Sequence, residues 1–371
     1  MALIPALLAP AARAAAPVDA SAQEAAAPSP PGYALLLAPA PSPADTSTPA
    51  RPAPRQASKP HMLRWVYMVG SQLPDALRQH PEAIDVLSPA WFHLADNGDV
   101  YGSDSAEVTQ FAKAHGIKVM PIVDNGEFDP DVAHDILIDS HNQTRALDGL
   151  TWMVNNFRYD GINIDFENLY NSDRNGFSAF MSNVYARVHR ENGKTVTLAL
   201  ASKTREMFDG FAGPFDYAAL APSFDLAVVM TYDQHYAGGE PGPVASIKWV
   251  EAVINYATKP IPANKLLLGL PFYGYNWNVS AGGWARAMSY SEIVHTVFAH
   301  GPGIQLDSDS KTPVYTYDAG NGIHQIWFED STSLSYKLQL AANHGLAGWG
   351  AWRGGMEDQN FWNLDLSATV G

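Results

Sequence analysis

Cysteine is absent from this 371-residue chain. Disulfides, thiolate nucleophiles and cysteine-based zinc sites are therefore excluded. Charge is sparse, at 16% of residues, and it leans acidic, with a formal net charge of -15 and a pI of about 5.1. That balance argues against nucleic acid and anionic membrane surfaces as partners. No apolar run reaches the roughly 18 residues of a membrane span. The histidines are scattered, and the first strand candidate has no His-x-His. A metal centre made of His93, Asp124, Asp233 and His235 is therefore not favoured, and neither metal nor cofactor is expected.

The first sixty residues are rich in Ala, Pro and Ser, as in Ala25-Ala26-Ala27-Pro28-Ser29-Pro30-Pro31. Such a segment buries too little surface to offset its ordering entropy and reads as a disordered tether. Its start, from Ala2 to Ala12, resembles the apolar part of a secretory signal, with small-residue cleavage sites near Ala14 and Ala16 but no basic stretch before it. Export to the periplasm, cell wall or medium is the expectation that follows.

From His61 onward the chain alternates apolar strand candidates with helical stretches. The strand candidates are 63–69, 83–92, 117–123, 161–166, 195–202, 225–231, 265–271 and 345–352. The helices are 105–115, 143–157, 175–191, 245–258 and 332–344. Eight strands alternating with helices predict an α/β fold, a parallel (β/α)8 TIM barrel, over residues 61–371. About 70 residues separate the seventh and eighth strands, too many for a structureless loop. Strand-like pieces at 313–317 and 322–328 mark a small α+β insertion, roughly 276–330, beside the barrel mouth.

The stretch Tyr159-Asp160-Gly161-Ile162-Asn163-Ile164-Asp165-Phe166-Glu167 carries the chemistry. Strand side chains alternate faces, so Asn163, Asp165 and Glu167 share one face and Ile162, Ile164 and Phe166 the other. Unpaired carboxylates are costly to bury, so the polar residues must line something wet or bind each other. Glu167 falls at the C-terminal strand end, where barrel enzymes keep their catalytic groups. Asp160 has the wrong parity for that face and reads as a structural residue at the strand start. Other strand ends add Met230-Thr231-Tyr232-Asp233, Tyr273-Gly274-Tyr275-Asn276-Trp277 and Trp352-Arg353. Carboxylates gathered with aromatic rings point to a carbohydrate site.

These residues resemble glycoside hydrolase family 18 over about His61 to Leu366. The family's Asp-x-x-Asp-x-Asp-x-Glu appears as Asp160-x-x-Asn163-x-Asp165-x-Glu167, its Met-x-Tyr-Asp as Met230-Thr231-Tyr232-Asp233, and its strand-eight tryptophan as Trp352. The run from Met230 through Gly242-Pro243-Val244 to Trp277 looks most like the spore-germination peptidoglycan hydrolases of that family. The resemblance implies substrate-assisted, retaining cleavage of β-linked N-acetylglucosamine glycans. Glu167 would be the acid and base, with Asp165 and Tyr232 as its catalytic partners. Asn163, Asp233, Trp352, Tyr273 and Trp277 would bind substrate, while Trp349, Arg353 and Glu329 stay open. Asn163 stands where typical members have Asp, which removes a charge and should let Asp165 ionise more readily. The expected partner is an N-acetylglucosamine-containing glycan, peptidoglycan or chitin-type, acted on by a monomer. Non-catalytic, lectin-like members of the family are the alternative. They typically lack the motif Glu, which is present here.

Overall fold

Seven apolar stretches become parallel staves in chain order: β1 (Leu63–Val69), β2 (Val86–Leu94), β3 (Ile122–Asp124), β4 (Gly161–Asp165), β5 (Thr195–Ala201), β6 (Leu226–Met230) and β7 (Leu266–Pro271). The structure, a computed structural model, describes residues 61–364. The Ala/Pro-rich segment and its signal-like start lie outside these residues. After β7 the chain leaves the barrel and builds a second sheet from β8 (Tyr273–Asn278), β9 (Arg286–Ser289), β10 (Gln305–Asp307), β11 (Thr312–Asp318) and β12 (Ile323–Phe328). It returns as β13 (Gly348–Trp352), which pairs with both β7 and β1, while β1 pairs with β2. The ring of eight is thereby closed, giving the (β/α)8 barrel.

Period-two alternation explains the strand that matters most. Ile162, Ile164 and Phe166 point outward and are fully buried, and Phe166 stacks on Phe177 and Phe180 at 5.8 and 5.6 Å. Those rings sit on the helix Arg174–Val184, whose buried residues Phe177, Phe180, Met181 and Val184 recur at helical spacing. The opposite face of β4 is left to Asn163 and Asp165. At the closure, a side chain on Gly348 would bring its Cβ to 2.0 Å from the Leu63 carbonyl oxygen, so β13 can approach β1 only with glycine there.

Three local departures from the sequence reading have physical causes. The third stave breaks into Lys118–Val119 and β3 around Met120-Pro121, because proline offers no N–H to the ladder. A helix at Pro130–Ile138, signalled by the Asp129 N-cap and Pro130 at its first position, precedes the helix Ser140–Asn156. The second sheet begins at Tyr273 rather than 276, because Tyr273 and Gly274 already pair with Ser289 and Met288. It is antiparallel in the order β9-β8-β12-β11-β10, with the helix Tyr290–His300 closing a separate core of Met288, Ile293, Tyr315, Ile326 and Phe328. Among the described residues no helix is long and apolar enough to cross a membrane.

Candidate active site

The C-terminal ends of the staves hold a narrow cleft. Tyr67, Asp165, Glu167, Tyr232, Asp233, Tyr273 and Trp352 line it, with Ala199 and Met230. Glu167 is held by its main chain. Its N–H donates to Asn125 Oδ1 at 2.9 Å, and Asn125 Nδ2 donates to the Glu167 carbonyl at 3.0 Å and to Asp129 O at 2.8 Å. Asn163 Nδ2 donates to Thr197 Oγ1 at 2.9 Å. In contrast, Glu167 Oε1 and Asp165 Oδ1 are buried with no hydrogen-bond partner among the described residues, and the buried Tyr67 hydroxyl beside them faces the Asn163 side chain. Buried polar atoms are nearly always paired. Two unpaired carboxylate oxygens facing a single cleft are groups arranged for a ligand.

Burial pushes the Glu167 carboxyl well above the usual carboxylate range, and the charges of Asp165, Asp233 and Asp124 add to it. Burial and then Asp124 push Asp165 up to about 7. Asn163 does remove a charge beside Asp165, yet Asp165 remains hard to ionise. Asp124 faces it from the neighbouring strand, registered Cα to Cα. Burial likewise raises Asp233 to about 6, against the hydroxyls of Tyr273 and Tyr275, which donate to its Oδ1 at 2.6 and 2.9 Å. The Tyr232 hydroxyl is raised by burial and by these anions. Such a site favours the protonated form of Glu167.

The sequence profile of the glycosyl hydrolases family 18 matches residues 65–357. The chain belongs to that family. It is therefore a glycosidase. It is 30% identical over 304 residues to the cortical fragment-lytic enzyme of Bacillus subtilis (strain 168), covering 80% of this chain and 70% of that one. The crystal structure of the Bacillus cereus spore cortex-lytic enzyme SleL superposes with a TM-score of 0.76 at 26% identity, covering 83% of this chain and 74% of that chain. A chitinase from Chromobacterium violaceum ATCC 12472 superposes with a TM-score of 0.75 at 26% identity, covering 81% and 97%.

Within this family 18 barrel the residues named from sequence separate into two groups. Asp165, Glu167, Tyr232, Asp233, Tyr273 and Trp352 line the cleft, while Asn163 is fully buried on Thr197 and is not among the lining residues. Trp277 does not line it. That ring is 3% exposed and its indole N–H donates to Gly239 O at 3.0 Å, because β8 turns it into the junction between insertion and barrel. Trp349 has the opposite strand parity to Trp352 and packs edge-on against Phe361. Glu329 lies away from the cleft, paired with Lys337 at 2.7 Å. Asp160 braces the strand start, accepting from Val119 N at 2.9 Å. Of the four groups weighed for a metal, His93 lies on Asp124 at 2.8 Å and His235 meets the Glu240 carbonyl. Among the described residues no cluster of three or more such side chains has a metal-holding arrangement.

Sequence reasoning missed Tyr67 and Asn125. Tyr67 is a polar-tipped aromatic near the end of β1, its ring 5.6 Å from that of Trp352. Asn125 directly follows β3. Both occupy C-terminal strand ends, the signal that had already pointed to Glu167.

Proposed function

We propose that this glycosidase cleaves β-linked N-acetylglucosamine glycans with retention, using the substrate's own acetamido group as nucleophile. The observation that carries this is the convergence of the unpaired Glu167 Oε1 and Asp165 Oδ1 on a cleft that also holds the Tyr67 and Trp352 rings. Family 18 departs from the usual two-carboxylate scheme in being substrate-assisted. Glu167, holding its proton, protonates the leaving glycosidic oxygen. The acetamido carbonyl oxygen attacks the anomeric carbon from the other face, giving an oxazolinium ion. Asp165, as carboxylate, accepts the acetamido N–H and stabilises the positive charge that builds there. Tyr232 donates to the acetamido oxygen. Glu167, now a carboxylate, then takes a proton from the water that opens the ring. Trp352 supplies an apolar face for the sugar.

Peptidoglycan is the favoured polymer. Likeness to the cortical fragment-lytic enzyme and to SleL supports it, and a chitin-type oligomer is the second candidate because of the chitinase likeness. The mechanism is tested by the anomeric form of the first product. Nuclear magnetic resonance of fresh digests should show the β anomer first. An initial α anomer, or equal cleavage of an N-deacetylated oligomer, would refute the acetamido nucleophile.

A further inference from the structure

Across three consecutive staves, His93 on β2, Asp124 on β3 and Asp165 on β4 stand in one row, each registered Cα to Cα with the next. Tyr101 extends the row on the other side, paired with His93 in the antiparallel strand Val100–Gly102. The His93 Nδ1 sits 2.8 Å from both oxygens of Asp124. Asp124 itself is buried, and its Oδ1 also accepts from Glu127 N at 3.0 Å. His93 is half-buried, so its ring sits at the edge of the cluster while Asp124 lies within it.

We infer that His93 is a positioning residue for the reaction: its imidazolium, held on Asp124, balances that carboxylate so that Asp165 can ionise while Glu167 keeps its proton. This rests on the proposed mechanism, in which Asp165 must be a carboxylate. The groups facing the row from each side are few. Glu127, in the turn after β3, adds negative charge near His93, and Tyr101 stacks on the imidazole at 5.1 Å between ring centres. Asp165 and Glu167 face Asp124 from β4. Tyr67 and Tyr232 also face Asp165, and both stay neutral because burial and the Asp165 charge oppose their ionisation. The ion pair on Asp124 is made by His93. The Asp124 hydrogen bond favours the protonated ring. With Asn at 163, the charge that opposes Asp165 comes from a neighbouring strand, and that charge has its own counter-ion. Adjacent strands are about 4.8 Å apart, so the imidazolium acts on Asp165 from roughly two strand spacings, close enough to matter in a buried site.

The test compares kcat/KM against pH for the full-length wild type, His93→Gln and Asp124→Asn on a soluble N-acetylglucosamine oligomer. In His93→Gln the Asp124 charge is unbalanced, Asp165 is harder to ionise, and the acid limb should move up by on the order of one pH unit. In Asp124→Asn that charge is gone and the limb should move down. A merely structural role would lower both profiles without moving the limbs in opposite directions. An acid limb of His93→Gln lying on that of the wild type would overturn the inference. A second readout needs no turnover. The His93 titration, followed by nuclear magnetic resonance and assigned by its loss in His93→Gln, should have a lower midpoint in Asp165→Asn, because the coupling is reciprocal. An unchanged midpoint would likewise overturn it. A wild type without turnover would count against the proposed reaction instead, and the titration would still decide the coupling.

Discussion

Among the described residues the two most deeply buried glutamates, Glu167 at 1% exposed and Glu329 at 2%, are treated in opposite ways. Glu329 follows β12 and meets Lys337 of the helix Ser331–Asn343, with the Ser333 hydroxyl donating to the same carboxylate oxygen. Burial still raises its pKa, and Lys337 pulls it back. Among the described residues no cation pairs with Glu167. Its charged neighbours are Asp165, Asp233 and Asp124, all of the same sign. A buried carboxylate with a matched cation ties one element to another. A buried carboxylate among anions holds a proton, and its chain pays for it in stability.

Glu167→Gln should separate the two most sharply. Cleavage should fall by about 10³-fold or more, as loss of a general acid and base implies. Glycan binding and the melting temperature should be kept or rise. Activity that survives the change would break the contrast. Lys337→Met should do the reverse, leaving a buried carboxylate without its partner and costing about 3–5 kcal/mol of stability, measured by denaturant unfolding. Adding Glu329→Gln should recover much of that loss. Tyr67→Phe removes one donor at the cleft and should lower kcat/KM by roughly tenfold, equivalent to about 1.4 kcal/mol, with folding unaffected.

The pH dependence of stability has the sign most specific to this account. Asp165 and Glu167 are raised above their ordinary values, so the folded chain holds protons that the unfolded chain has released. Their contribution is fully present below the unfolded carboxyl range and is lost as pH rises through the folded values. The melting temperature of the wild type should therefore decline toward alkaline pH more steeply than that of Glu167→Gln. Parallel curves would contradict the electrostatic description of the cleft.

Much of this was legible before the fold was known. Period-two alternation in 162–167 assigned Asn163, Asp165 and Glu167 to one face, because a strand has only two. Strand–helix alternation identified the barrel, since a parallel stave needs a crossover. Parity could also have told Trp349 from Trp352, which are three residues apart on one strand. Other features were not local in sequence. Trp277 has the residue type of a sugar platform, but β8 turns it into a protein contact. The fate of Asp165 depended on Asp124, 41 positions earlier (165 − 124) and registered beside it only once β3 and β4 pair. Asp233 takes a positive φ of 57° at the end of β6, held by two tyrosines that come from the second sheet. Pairings across strands decide such details, and a single sequence shows residues rather than pairs.

The most direct measurement is product identification by mass spectrometry. Full-length wild type and Glu167→Gln would each be incubated with peptidoglycan and with N-acetylglucosamine oligomers. The account expects muropeptide fragments ending in N-acetylglucosamine from the wild type and none from the variant, with both proteins binding the polymer. Binding without products from the folded wild type, on either substrate, would contradict it and leave a carbohydrate-binding barrel in its place.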